Sequence, residues 1–195
     1  MERPNNYENT KTGGYTPVTP GGHHLTIKQV VESKSKSNKN MIVVLFDMAK
    51  NDSQPEYMSE EFKNDIRPEK KWPHAGTMYI LTEDEKGNCS KSFKSFITAF
   101  EKSNNCEAVW GEKFMHQFRN KKIGGVFGDV ENEYNGKTFM RSELRWFCAD
   151  SEADGATVPA TKYLNKNTTS APASTSDNTS PFIPAADSDE NIPWG

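Results

Sequence analysis

A mainly β fold, five strands closing into a small barrel with a helix between the third and fourth, is predicted by three features of this 195-residue chain. Met41 to Phe46 (MIVVLF) is a continuous apolar run of the kind shown by a strand buried on both faces. Phe93, Phe96, Ile97 and Phe100 recur at the i, i+3, i+4, i+7 spacing of an amphipathic helix. Residues 121–148, KKIGGVFGDVENEYNGKTFMRSELRWFC, hold two β-patterned runs joined by Asn135-Gly136. That dipeptide is the strongest short-range hairpin signal, because both central positions of a type I′ turn need φ > 0.

The elements follow in order. Residues 1–22, rich in Asn, Thr, Gly and Pro, read as an irregular, disordered N-terminal arm. Leu25 to Val31 alternates well enough for a first strand, and a Ser/Lys/Asn loop with Lys34, Lys36 and Lys39 leads into the apolar second strand. Residues 47–76 form a long polar connection with a short helix near Met58 to Asp65, and within it Lys70 and Lys71 stand beside Trp72. Thr77 to Thr82 is the third strand, with Met78 and Ile80 on one face and Tyr79 on the other. Ser90 or Ser92 is the N-cap of the Phe-striped helix. Trp110, Phe114 and Phe118 repeat every four residues and suggest a second helix, and Val158 to Leu164 reads as a last short element.

If the hairpin closes on Asn135-Gly136, Tyr134 opposes Lys137 and the faces follow by alternation. One carries Val126, Val130, Tyr134, Lys137, Phe139, Arg141, Arg145 and Phe147. The other carries Phe127, Met140, Leu144 and Trp146, with Asp129, Glu131 and Glu133 toward the tip, and is assigned to the core. The first face interleaves rings with cations, the mixture a single-stranded nucleic-acid surface needs: rings for bases to stack on and charges for phosphates. Solvated arginines over a second aromatic layer would give the same pattern.

A hydrophobic fraction of 33% and a mean hydropathy of −0.85 are low for a domain of this length unless part of the chain is unstructured. That part is residues 167–195, rich in Ser, Thr, Pro and Ala and lacking Lys or Arg, which reads as a disordered tail after a domain spanning 23–166. The net charge of −3 owes four acids to this tail (Asp177, Asp187, Asp189 and Glu190), so residues 1–166 hold all 24 basic groups against 23 of the 27 acids. Such a balance demands no nucleic acid by itself; local clustering has to argue for it. Three cysteines without C-x-x-C spacing fit a reducing cytosol, and no apolar stretch is long enough for a signal peptide core or a membrane span. The expectation is a cytoplasmic protein that does not engage a membrane. His23-His24 has no further ligand at metal spacing, and no cofactor is expected.

Strand, basic loop, strand, strand, helix, strand, tight turn, strand is the order of an OB-fold, a five-stranded Greek-key barrel that binds oligonucleotides with a sheet face and the loops after strands one and four. Both of those loops carry cations here. The runs GGYTPVTPGGHHLTIKQVVESKSKSNKNMIVVLFD, SKSFKSFITAFEKSN and KKIGGVFGDVENEYNGK resemble a family of uncharacterised proteins of phages and integrative elements of Gram-positive bacteria, thought to bind single-stranded DNA. The resemblance covers roughly residues 13–148, and it implies binding in replication or recombination rather than catalysis. The terminus DSDENIPWG is similar to the acidic tip of bacterial single-stranded DNA-binding proteins, with Trp194 in place of a terminal Phe and Gly195 after it. Asp187, Asp189, Glu190, Ile192, Pro193 and Trp194 would then dock a replication or recombination protein from a flexible tether.

The resulting expectation is a non-catalytic protein that coats single-stranded DNA of a mobile element in a bacterial host cell. Lys34, Lys36, Lys39, Lys70, Lys71, Lys121, Lys122 and Lys137 would meet phosphates; Trp72, Tyr79, Tyr134 and Phe139 would stack bases; Arg141 and Arg145 could do either. Homo-oligomers are compatible with this reading. Two other classes compete. A protein-interaction module, an inhibitor or recombination mediator, would use the same aromatic and Arg face. A metal-dependent nuclease would use Asp65, Glu69 and Lys71, whose order is D…E-x-K.

Overall fold

A computed structural model describes residues 2–5, 7–9 and 16–164. Five antiparallel strands form one sheet in the order β3-β2-β1-β4-β5: β1 is Gly21–Lys34, β2 Asn40–Met48, β3 Thr77–Leu81, β4 Lys122–Tyr134 and β5 Lys137–Cys148. Helix α1 spans Tyr57–Asn64 and α2 spans Lys91–Asn104, the latter between β3 and β4 as its Phe stripe predicts. Ser90 is the α2 N-cap, its hydroxyl accepting from the Phe93 amide at 3.1 Å. The helix predicted around Trp110, Phe114 and Phe118 is instead a loop followed by a 3-10 turn, Phe114–Phe118. The element near the end of the domain is a single parallel bridge between Val130 and Lys162.

The sheet curls. In a flat sheet β2 and β5 would lie about 14 Å apart at three strand spacings, yet the rings of Phe46 and Phe147 meet at 5.8 Å. Phe127 on β4 and Phe96 on α2 join them, at 6.2 Å from Phe46 and 5.2 Å from Phe147 respectively. The concave face therefore wraps an aromatic core that α2 closes. It does not become a barrel: β3 and β5 share no ladder among the described residues, so the predicted closure is corrected to an open sheet. The reason lies at the seam, where β3 is only five residues long and the 3-10 turn His74–Gly76 packs against both β2 and β5.

Two one-residue bulges set which side chains enter the core. In β1 the register shifts at Lys28, moving the buried phase from Leu25 and Ile27 to Val30. In β5 the shift falls at Arg145, since Val126 pairs with Trp146 and Phe127 with Leu144. Strict alternation beyond that point is thereby reversed. Phe147, expected on the outer face, is buried, and Trp146, expected in the core, is 44% exposed. Met140 keeps the core-side parity but stands past the end of the core, 49% exposed.

The ends of the domain are fastened by two consecutive histidines. His23 is 2% exposed; its Nδ1 lies 3.0 Å from Asp52 and its Nε2 2.8 Å from the Thr19 carbonyl. Both partners only accept, so both ring nitrogens donate and the ring is an imidazolium. His24 points to the opposite face and donates to Asp150 at 2.8 Å and Asp154 at 3.1 Å. These bonds hold the 49–56 connection on one side and residues 149–164 on the other. That second segment crosses the convex face where Gly22 and Gly128 leave room: a Cβ at Gly22 would stand 1.9 Å from the Ala153 carbonyl, and one at Gly128 2.5 Å from Pro159. Val18 is buried and the Pro17 carbonyl accepts from Gln54, so the ordered domain begins before the expected boundary at residue 23.

Burial alone would lower the His23 pKa, but the bonds to Asp52 and Thr19 outweigh it and raise it. The bond to Asp150, against a smaller burial effect, raises that of His24. A raised histidine pKa stabilises the fold fully below its unfolded value of about 6.5, and that stabilisation is lost as pH rises through the folded values. The denaturation midpoint is expected to fall as the buffer is taken from about pH 6 to alkaline, and to fall less in His23→Gln. Asp52→Ala, which strands a buried charge, is expected to cost about 3 kcal/mol at neutral pH. In the aromatic core, Phe147→Ala should cost about 3–5 kcal/mol while Trp146→Ala costs under about 1 kcal/mol. Equal losses in urea denaturation would place the bulge elsewhere.

Candidate nucleic-acid interface

β1 pairs with β4 only as far as Gly21 opposite Phe127, so residues 128–143 project beyond it as a two-stranded ribbon. Its turn has the predicted geometry, with φ of 51° at Asn135 and 73° at Gly136. Tyr134 opposes Lys137, Asn132 opposes Phe139 and Val130 opposes Arg141. Tyr134 and Phe139 are therefore diagonal neighbours on one face, roughly 7–8 Å apart by strand geometry, with Lys137 and Arg141 beside them. Both rings reach solvent, Tyr134 at 71% and Phe139 at 46% exposure. The opposite face carries Asp129, Glu131 and Glu133, while Glu143, opposite Gly128 and bonded to Asn132, sits on the aromatic face toward its base, so the division into a cationic, aromatic side and an acidic side holds near the tip.

The ribbon's edge beside β1 is held. The Lys162 amide donates to the Asp129 carbonyl at 2.9 Å, the Glu131 amide donates to the Lys162 carbonyl at 2.8 Å, and the Leu164 amide donates to the Glu131 carboxylate at 3.1 Å. Asn132 spans to Glu143 at 3.2 Å across the two strands. This bracing fixes the presented face in place.

Trp146 lies on the same outer face after the bulge and adds a third partly exposed ring. Alternation from the turn hides it, because the bulge at Arg145 has no marker in the sequence. Arg145 sits at the bulge with its Nη1 buried and unpartnered among the described residues.

The other predicted residues do not gather here. Lys34 ends β1 and Lys36 and Lys39 lie in the loop after it, at the end of the sheet opposite the Asn135-Gly136 turn; Lys39 reaches Glu85 at 3.4 Å. Lys121 precedes β4 and Lys122 begins it, also away from the tip, and Lys122 pairs with Asp150 at 3.3 Å. Tyr79 is on the outer face of β3, opposite Val43, half-buried, with its hydroxyl pKa raised by burial. Trp72 turns inward: its indole N–H donates to the Gly76 carbonyl at 3.0 Å and its ring packs 5.7 Å from Phe62. Lys70 donates to the Lys63 carbonyl at the end of α1. The tail residues Asp187, Asp189, Glu190, Ile192, Pro193 and Trp194 lie outside the described residues.

No model of a known protein family matches the chain, and no curated protein does.

Three further polar groups have defined surroundings. Asp65 chelates the Arg67 guanidinium and accepts from the Arg67 and Lys71 amides, which together hold its carboxyl well below the usual carboxylate range. Asp47, fully buried, accepts from the Met58 amide at 2.9 Å and from the Ser59 hydroxyl, capping α1 from β2, with Lys28 at 3.4 Å. Burial, with Glu152 and Asp150 nearby, pushes the Cys148 thiol up to about 11. Among the described residues, no cluster of three or more His, Cys, Asp or Glu side chains could hold a metal ion, and no helix is long and apolar enough to cross a membrane.

Proposed function

We propose that this protein binds single-stranded DNA through the outer face of the β4–β5 ribbon, in the replication or recombination of a mobile element, without a catalytic step. The observation that carries this reading is the pairing of two exposed, diagonally placed rings with Lys137 and Arg141 on one braced face whose reverse is acidic. Stacking tolerates any base and the cations meet the backbone, so the surface suits a strand of any sequence. Asp129, Glu131 and Glu133 on the reverse face disfavour a polyanion there, and Glu143 at the base of the presented face directs it toward Tyr134, Lys137 and Phe139.

Two further features support it. The strand order with a helix between β3 and β4 is that of an OB barrel opened along the β3–β5 seam, and we read the sheet as such an open relative. The sequence likeness to the phage and integrative-element family points the same way. The acidic tip from Asp187 to Trp194 would recruit a replication or recombination partner bearing a basic-rimmed apolar pocket.

Fluorescence anisotropy with dT and rU oligomers over a range of salt tests the reading. Tyr134→Ala and Phe139→Ala should each weaken dT binding by roughly 1–3 kcal/mol. Lys137→Ala and Arg141→Ala should weaken it on every sequence and flatten the salt slope by about 0.7 each. Unchanged affinity in folded Tyr134→Ala/Phe139→Ala would leave the ribbon as a protein-docking surface instead. For the tail, deletion of residues 167–195 and Trp194→Ala should both lose the same partner in a pull-down with a purified host replication protein while keeping dT binding.

A further inference from the structure

The loop between α2 and the Phe114–Phe118 turn holds two apolar residues in water, Val109 at 71% exposure and Trp110 at 66%. It is not slack. The Gln117 side chain accepts from the Val109 amide at 2.8 Å and donates to the Val109 carbonyl at 3.1 Å and the Phe114 carbonyl at 2.9 Å. Glu101 accepts from the Ala108 amide at 2.9 Å. The indole is stacked on Phe114, centroids 4.5 Å apart and planes 12° from parallel, and Phe93 meets it edge-on at 6.2 Å. Phe93 and Phe114 are both core residues, so the platform under the indole is rigid. One face of Trp110 is thus covered and the other is presented flat to solvent.

We propose that Trp110 is a second base-stacking site for single-stranded nucleic acid, an inference that rests on the function proposed above. A flat, pre-positioned aromatic face with its reverse already stacked suits a planar π system, and an unpaired base extends the Phe114–Trp110 stack by one ring. Lys94 follows Phe93, Lys91 opens α2 and Lys113 precedes Phe114; all three are exposed, and none forms an ion pair among the described residues. Glu107 and Glu112 lie on the same loop, so the local charge nearly balances and stacking supplies the affinity.

The site is remote from the ribbon. The start of α2 is tied to the end of β3 by the Ser90 amide on the Thr82 carbonyl, and Leu81 pairs with Met41 beside the loop that carries Lys36. Trp110 and the lysines of that loop therefore belong to the end of the sheet opposite Tyr134. A long strand would engage both ends and a short one either of them.

The test compares full-length wild type, Trp110→Ala, Trp110→Phe and Tyr134→Ala/Phe139→Ala on dT oligomers of about 8 and about 40 nucleotides. Trp110→Ala should lose about tenfold in affinity on the long oligomer and less than about twofold on the short one, with an unchanged salt slope. Trp110→Phe should retain most of the affinity, and tryptophan quenching by the long oligomer should shrink in both variants. If Trp110→Ala binds the long oligomer as wild type does while the ribbon variant is weakened, the inference is overturned and the proposed function stands. If wild type binds neither oligomer, both are overturned.

Discussion

Phe147 stands against Phe46 across two intervening strands, and most of the architecture depends on that contact. It requires a sheet curled far beyond a flat one, and α2 supplies the Phe96 ring that closes the concave side. Phe118 meets both Phe96 and Phe100, so the chain leaving α2 is drawn back toward β1 before β4 begins. The curl also determines what is left over. Once the first part of β4 is committed to β1 and the aromatic core, the remainder of the β4–β5 hairpin extends past the core, where among the described residues only the segment through Pro159 and Lys162 packs against its base.

The convex side is governed by charge and by missing side chains. His23 and His24, adjacent in β1, point to opposite faces and each donates through both ring nitrogens. One fastens the connection before α1 and the other the segment after β5. Glycines at 22 and 128 let that segment lie directly on the strands, and it ends beside the ribbon as the Lys162 bridge. A surface that presents rings to water needs such bracing, because an unbraced two-stranded ribbon is marginally stable at best.

Three of the exposed rings share a design. Tyr134 and Phe139 are carried on a braced ribbon, and Trp110 is stacked on a core phenylalanine in a loop tied by Gln117 and Glu101. In each case backbone hydrogen bonds hold an apolar ring where burial would otherwise draw it inward. The cost is tolerable where the ring gains a partner on binding, since little further ordering is then required.

Local signals in the sequence were sufficient for the strands, the Phe-striped helix and the Asn135-Gly136 turn, and through the turn for the Tyr134, Lys137, Phe139 and Arg141 face. Each rests on periodicity or on φ preferences, which act within a few residues. The exchange of Trp146 for Phe147, the exposure of Met140, the inward turn of Trp72 and the open β3–β5 seam were set by tertiary structure. A bulge at Arg145 lets Phe147 reach Phe46, a partner about a hundred residues away in sequence, and no local pattern records that gain. The spacing of Trp110, Phe114 and Phe118 shows why the candidate site was only half legible. Stacking on Phe114 and the Gln117 bonds to Val109 make that stretch a loop with an outward ring, whereas its four-residue period alone reads as a buried helix.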